Sequence, residues 1–183
     1  MSALLAFLRR FGRDRSGVGA VEFAIIAPVL LVLYIGGVDV TRAIIFSHKM
    51  QNATVAVNDL VSQAEELSKA DVVKTFGAAD AMLASFRVGQ LALRVTSVQI
   101  DATGNAKVLW SVARGMDRSS AGAGFTLPDR LTGLRDFTLI VTESAHEFAP
   151  ILTYVIDSHI PLSAEARGRF RGRAAVACLD CAT

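Results

Sequence analysis

The chain has only two cysteines, Cys178 and Cys181, and both fall in its last six residues. That scarcity excludes a disulfide-dense secreted scaffold. The common phosphate and hydrolase signatures are missing too. There is no P-loop, no dinucleotide glycine fingerprint, no His-Glu-x-x-His and no Gly-x-Ser-x-Gly. The three histidines, His48, His146 and His159, are not spaced as metal ligands. His146 and Glu147 are adjacent, but on a strand they point to opposite faces. No catalytic residue, metal or cofactor is expected, so these absences point away from an enzyme. Charge is scarce as well: the net value over 183 residues is +2. Arg9, Arg10, Arg13 and Arg15 against Asp14 give the first seventeen residues +3, which leaves −1 for the rest. No large basic surface remains for nucleic acid.

One uncharged stretch is present, residues 23–38. A membrane span needs about 20 mostly apolar residues. Extending the run to about 20–46 reaches that length, at the cost of including Glu22 at one end and Asp39 and Arg42 at the other. Asp39 and Arg42 are three apart on a helix and within pairing distance. Four arginines precede the run, and positive flanks stay cytoplasmic. The bulk of the chain is therefore expected outside the cytoplasm. The residues after the run make a poor small-x-small site for an ordinary signal peptidase.

The segment before the run is more specific. Gly17 closes the basic leader, and Val-Gly-Ala-Val, Glu22 and Phe23 follow. An acidic residue at the centre of a membrane helix costs roughly 2.5–3.5 kcal/mol on insertion scales, and less near the interface. Such a residue normally has a partner. A cut after Gly17 would create a cationic amine at Val18, available to Glu22 of the same or a neighbouring chain.

This string resembles the prepilin peptidase site of Tad (tight adherence) pilus proteins, a Gly, four residues, Glu, then Tyr or Phe. The wider stretch of residues 13–50 is similar to the TadE-like minor pilins, with a basic residue, a small-Val-Glu-Phe core and a Pro within an apolar run. The resemblance implies processing between Gly17 and Val18 by a prepilin peptidase. It assigns recognition and assembly to Glu22 and Phe23. It implies a place in the bacterial inner membrane, with other pilus subunits and an assembly platform as partners. The alternative is an uncleaved single-pass envelope protein with a ligand-binding head.

Beyond the membrane the helix is expected to continue. Phe46, Met50, Ala53, Val57, Leu60, Ala64 and Leu67 recur at spacings of three and four. A helix to about Leu67 would be roughly 70 Å long, with a kink near Ala24 caused by Pro28. Its apolar stripe is expected under the chain's own sheet, with a coiled-coil seam as the other option. Ser68 and Asp71 read as the start of a second helix, with Val72, Val73, Phe76, Ala79, Leu83 and Phe86 on its apolar face. Strands follow around Leu91–Ile100 and Val108–Val112, with a phase slip at Thr96-Ser97 that suggests a bulge or a twist and a hairpin turn at 102–105. Residues 114–136 read as a long surface loop. Further strands are expected from Phe137 to Phe148 and over 164–177, with 151–160 unassigned. The expected class is α+β: a basic leader at 1–17, a long helix at 18–67, and an extracytoplasmic antiparallel head at 68–183.

Two features of the head stand out. Arg167, Arg169, Arg171 and Arg173 alternate with small or apolar residues. That pattern suits a charge-protected edge strand, or a contact with an acidic partner. Cys178-Leu-Asp-Cys181 is a C-x-x-C at a strand end. It suits a local disulfide in an exported head, with free thiols as the other option.

Overall fold

The computed structural model describes residues 17–86, 89–131, 133, 135–151, 159–170, 176–178 and 180–181. It divides into two compact units, one ending at Thr41 and the other beginning at Arg42.

Helix α1 (Val18–Gln63) opens the described chain and continues through Pro28. Its early residues are rich in Val and Ile, which favour strands when in water. In an apolar solvent a single segment must satisfy its own backbone groups, and only a helix does so. In the first unit most of the large apolar side chains are exposed: Ile25 is 69% exposed and Tyr34 71%.

The second unit is a mixed α+β head. A short strand β1 (Glu66–Leu67) follows α1, then helix α2 (Lys69–Leu83). Four antiparallel strands come next: β2 (Ala92–Ile100), β3 (Ala106–Arg114), β4 (Phe137–Phe148) and β5 (Ile160–Arg169). Their spatial order is β3-β2-β4-β5. Strand β6 (Ala177–Cys178) pairs in parallel with β1.

Helix α2 starts where its capping chemistry dictates. The Ser68 hydroxyl accepts from the Asp71 amide, and the Asp71 carboxylate accepts from the Ser68 amide. The β2–β3 turn is held in the same way. Asp101 Oδ1 accepts from the Thr103 hydroxyl at 2.6 Å and from the amides of Thr103 and Asn105 at 2.8 and 2.9 Å. These bonds, led by that of the Thr103 hydroxyl, hold the Asp101 pKa at about 2. Gly104 adopts φ +91°, a conformation that disfavours a side chain.

The main core joins α1, α2 and one face of the sheet. Phe46, Met50, Val57, Val61, Phe76, Leu83, Leu93, Val95 and Ile140 are all essentially inaccessible. Burial of a side chain of this kind contributes roughly 1.5–3 kcal/mol. The expected stripe on α1 holds from Phe46 to Val57 and then departs from expectation. Leu60 is 50% exposed, and Val61 takes the next place in the core. After Val57 the four-residue step continues the stripe facing the sheet. The helix also ends at Gln63 rather than near Leu67. Glu66 and Leu67 leave it to pair with Ala177 and Cys178.

A second departure is a buried polar row beside that stripe. Thr54, Asn58 and Ser62 are four apart and almost fully buried. Thr54 shares a hydrogen bond with Ser144 at 2.7 Å. The Asn58 amide donates to Ile140 O (2.9 Å), Thr142 Oγ1 (3.1 Å) and Ala166 O (3.2 Å). Gly168 makes this approach possible, because a Cβ there would overlap Asn58 Oδ1. The helix therefore lies over β4 and β5 through polar contacts as well as apolar ones.

The phase slip in β2 has a different cause from a bulge in β2. Its pairing with β4 is unbroken from Ala92 to Ile100. The extra residue is Leu109 on β3, since Ser97 pairs with Trp110 and Val98 with Val108. The pattern changes because the sheet has a second core on its other face. There Val98, Ile100, Ala106, Leu139 and Val141 are covered by Phe125, Leu127, Leu131 and Phe137. The loop expected at the surface thus roofs the sheet. It also bonds to β3 through Gly122 N to Val108 O, Val108 N to Ala123 O and Phe125 N to Ala106 O. Strand β5 begins at Ile160, earlier than expected, and carries Pro161 near the start of an outer strand, where a missing N–H is tolerated.

Candidate processing and assembly site

Gly17 is a turn residue, and the first helical residue is Val18. The Gly17 carbonyl accepts from the Val21 amide at 3.1 Å, which closes the first turn. The Gly17–Val18 bond therefore sits at the boundary where helix begins. A Cβ at Gly17 or Gly19 would meet nothing within 4 Å, so the backbone there is open to approach.

Glu22 is exposed, one turn beyond Val18 on the same side of the helix. Phe23 follows, 67% exposed. From there to Val38 the helix carries no charge, and it is the one described helix long and apolar enough to cross a membrane. The arrangement is one carboxylate at the mouth of an apolar rod, a short reach from the bond that frees an amine if cut.

The other sequence candidates lie in the head. Arg167 and Arg169 sit on the sheet face opposite α1, alternating with Ala166 and Gly168, which face it. Arg167 pairs with Glu165 on its own strand. The Arg169 guanidinium lies 5.4 Å from the centre of the Phe137 ring. Arg171 and Arg173 lie outside the described residues. On the same face Arg94 makes a bidentate pair with Glu143 at 2.6 and 2.8 Å. That hydrogen bonding raises the Arg94 pKa, against the lowering effect of burial. Among the described residues, Arg94 and Arg167 on this face are paired with carboxylates and Arg169 lies against an aromatic ring.

Cys178 and Cys181 are joined by a disulfide, with Cα atoms 5.5 Å apart. Asp180 lies beside them. The sulfurs are bonded to each other, so this cluster offers a metal no pair of thiolates. His146 points to the main core, its ring 5.0 Å from Phe46, while Glu147 is exposed. Burial pushes the His146 pKa down, against a smaller raising pull from Glu147. Sequence reasoning missed Asn58 and Asp180 as positioning residues. The four-residue spacing of Thr54, Asn58 and Ser62 was the available signal for the first, and the position of Asp180 inside the C-x-x-C for the second.

Residues 17–56 match the family model described as TadE-like protein. Neither the curated proteins nor the solved structures yield a match. The matched stretch holds the Gly17 turn, Glu22, Phe23 and the membrane-length part of α1, and over it the chain is similar to the TadE-like proteins.

Proposed function

We propose that this protein is a minor pilin of a Tad-type pilus, cut between Gly17 and Val18 by a prepilin peptidase. Its α1 remains in the inner membrane or enters the pilus, and its head lies outside the cytoplasm. The role is structural rather than catalytic. The observation that carries this reading is the exposed Glu22 on an apolar helix, one turn from Val18. In lipid a lone carboxylate is costly. A cut at Gly17 supplies the α-amine that offsets it, either within one chain or from a neighbour. In a low dielectric a wrong register would separate the charges at high cost. Glu22 thus sets alignment between subunits more than it adds raw stability.

The deciding experiment is N-terminal sequencing of protein extracted from membranes of cells with an active prepilin peptidase. A mature chain beginning at Val18 is expected, and Gly17→Leu should block the cut. A chain that still begins at Met1 would favour the uncleaved anchor instead.

A further inference from the structure

We propose that the C-terminal disulfide loop is an oxidation-dependent clamp on helix α2, which closes one end of the head only where its cysteines are oxidised. The contacts come from the loop and the strand that leads into it. Asp180 Oδ1 accepts from the amide of Lys69, the first residue of α2, at 2.6 Å. The first amides of a helix have no partner inside it, and a carboxylate at that end also faces the positive pole of the helix. Ser68 serves the Asp71 amide, and Asp180 serves the Lys69 amide from 111 residues away. Glu66 and Leu67 pair with Ala177 and Cys178. The Trp110 indole donates to Val176 O at 2.9 Å. Cys181 is buried in the main core, while Cys178 is half-buried.

Each of these holds is small. A two-residue parallel pairing is weak, and one cap is worth about a factor of ten. The disulfide joins residues only three apart. Such a short ring removes little freedom from the unfolded chain, so its effect on global stability is minor. Its effect is local: it fixes the turn that carries Asp180 and anchors it to the buried Cys181 sulfur. Without the bond, the turn that carries Asp180 loses the covalent link between Cys178 and the buried Cys181.

Closure is a thiol–disulfide exchange. The two thiols of Cys178 and Cys181 give two protons and two electrons to the disulfide of a thiol-oxidising protein. The Cys178–Cys181 bond forms, and the oxidant's own S–S bond breaks to two thiols. A dithiol reverses the step. The site of closure rests on the extracytoplasmic placement of the head, whereas the chemistry and its test do not.

Trp110 is the sole tryptophan, so its emission reports whether Val176 is in place. The test uses the full-length protein in detergent micelles, oxidised or reduced with a phosphine and then alkylated, with mass confirming the state. Reduction is expected to red-shift Trp110 emission and to speed hydrogen exchange of the Lys69 amide about tenfold. Cys178→Ser combined with Cys181→Ala should behave as the reduced protein does. Asp180→Ala, with the disulfide intact, should speed Lys69 exchange and leave the emission unchanged. A reduced, fully alkylated chain with unaltered emission and Lys69 exchange would overturn the proposal. Loss of protection across β4 as well would also overturn it, because the bond would then be a global staple.

Discussion

Gly168→Ala is the most direct probe of how α1 seats on the sheet. Gly168 stands opposite Ile140 on β5. An added Cβ would overlap Asn58 Oδ1 and lie 3.4 Å from Asn58 Cγ and Ser62 Oγ. The head has two ways to respond. If the Asn58 side chain swings away, its amide loses the bonds to Ile140 O, Thr142 Oγ1 and Ala166 O. A buried amide left without partners costs about 1–3 kcal/mol. If α1 lifts instead, the core is strained by a similar amount, about 1–3 kcal/mol. Either loss, about 1–3 kcal/mol, lowers the unfolding midpoint of a domain this size by about 2–12 °C. Asn58→Ala removes the obstructing group, so the double variant should be more stable than the two single losses predict. A coupling of at least about 1 kcal/mol is expected. Trp110 emission during urea unfolding in detergent measures all four proteins. Gly168→Ala within about 0.5 kcal/mol of the parent would refute this account of the helix–sheet contact.

Two further outcomes follow from single carboxylates. A hydrogen bond from Lys74, then one from Ser68, holds Asp71 at a pKa of about 2, below the usual 3.8. A lowered folded pKa stabilises above the unfolded value, and that stability is lost as pH falls from about 4 to about 2. Asp71→Asn should therefore loosen α2 at pH 7, read by amide exchange, and match the parent near pH 2; an equal deficit at both values would rule this out. Glu22→Gln should leave membrane insertion intact, since it removes a charge from lipid, and should reduce co-purification of other pilus subunits at matched membrane abundance. Unchanged association would return Glu22 to the status of a tolerated interfacial residue.

The TadE-like stretch was legible because its signals are local. A glycine, a carboxylate and an aromatic at fixed spacing before an apolar run need no tertiary information. The Ser68–Asp71 capping box was legible for the same reason. The head was harder where polarity and burial part company. Asn58 falls between the stripe positions, and nothing in sequence shows the carbonyls of Ile140 and Ala166 that receive it. Gly168 reads as a spacer between arginines, although its missing side chain is what admits the helix. The slip in β2 reads as a bulge because alternation assumes one buried face, and this sheet has two. The pairing of Glu66 and Leu67 with Ala177 and Cys178 joins segments too far apart for any local pattern to link.

The apolar roof over the back of the sheet bears on how the head stays soluble. Phe125, Leu127 and Leu131 cover Val98, Ile100, Leu139 and Val141. The strip beneath them is aliphatic and lies on paired strands. Peeled back, the loop would bare a flat, β-branched surface on the same sheet as outer strand β5. Such a surface, close to unpaired backbone, is a template for self-association. The 115–131 segment therefore acts as a guard against aggregation, and shortening it should produce insoluble protein before it produces unfolded protein.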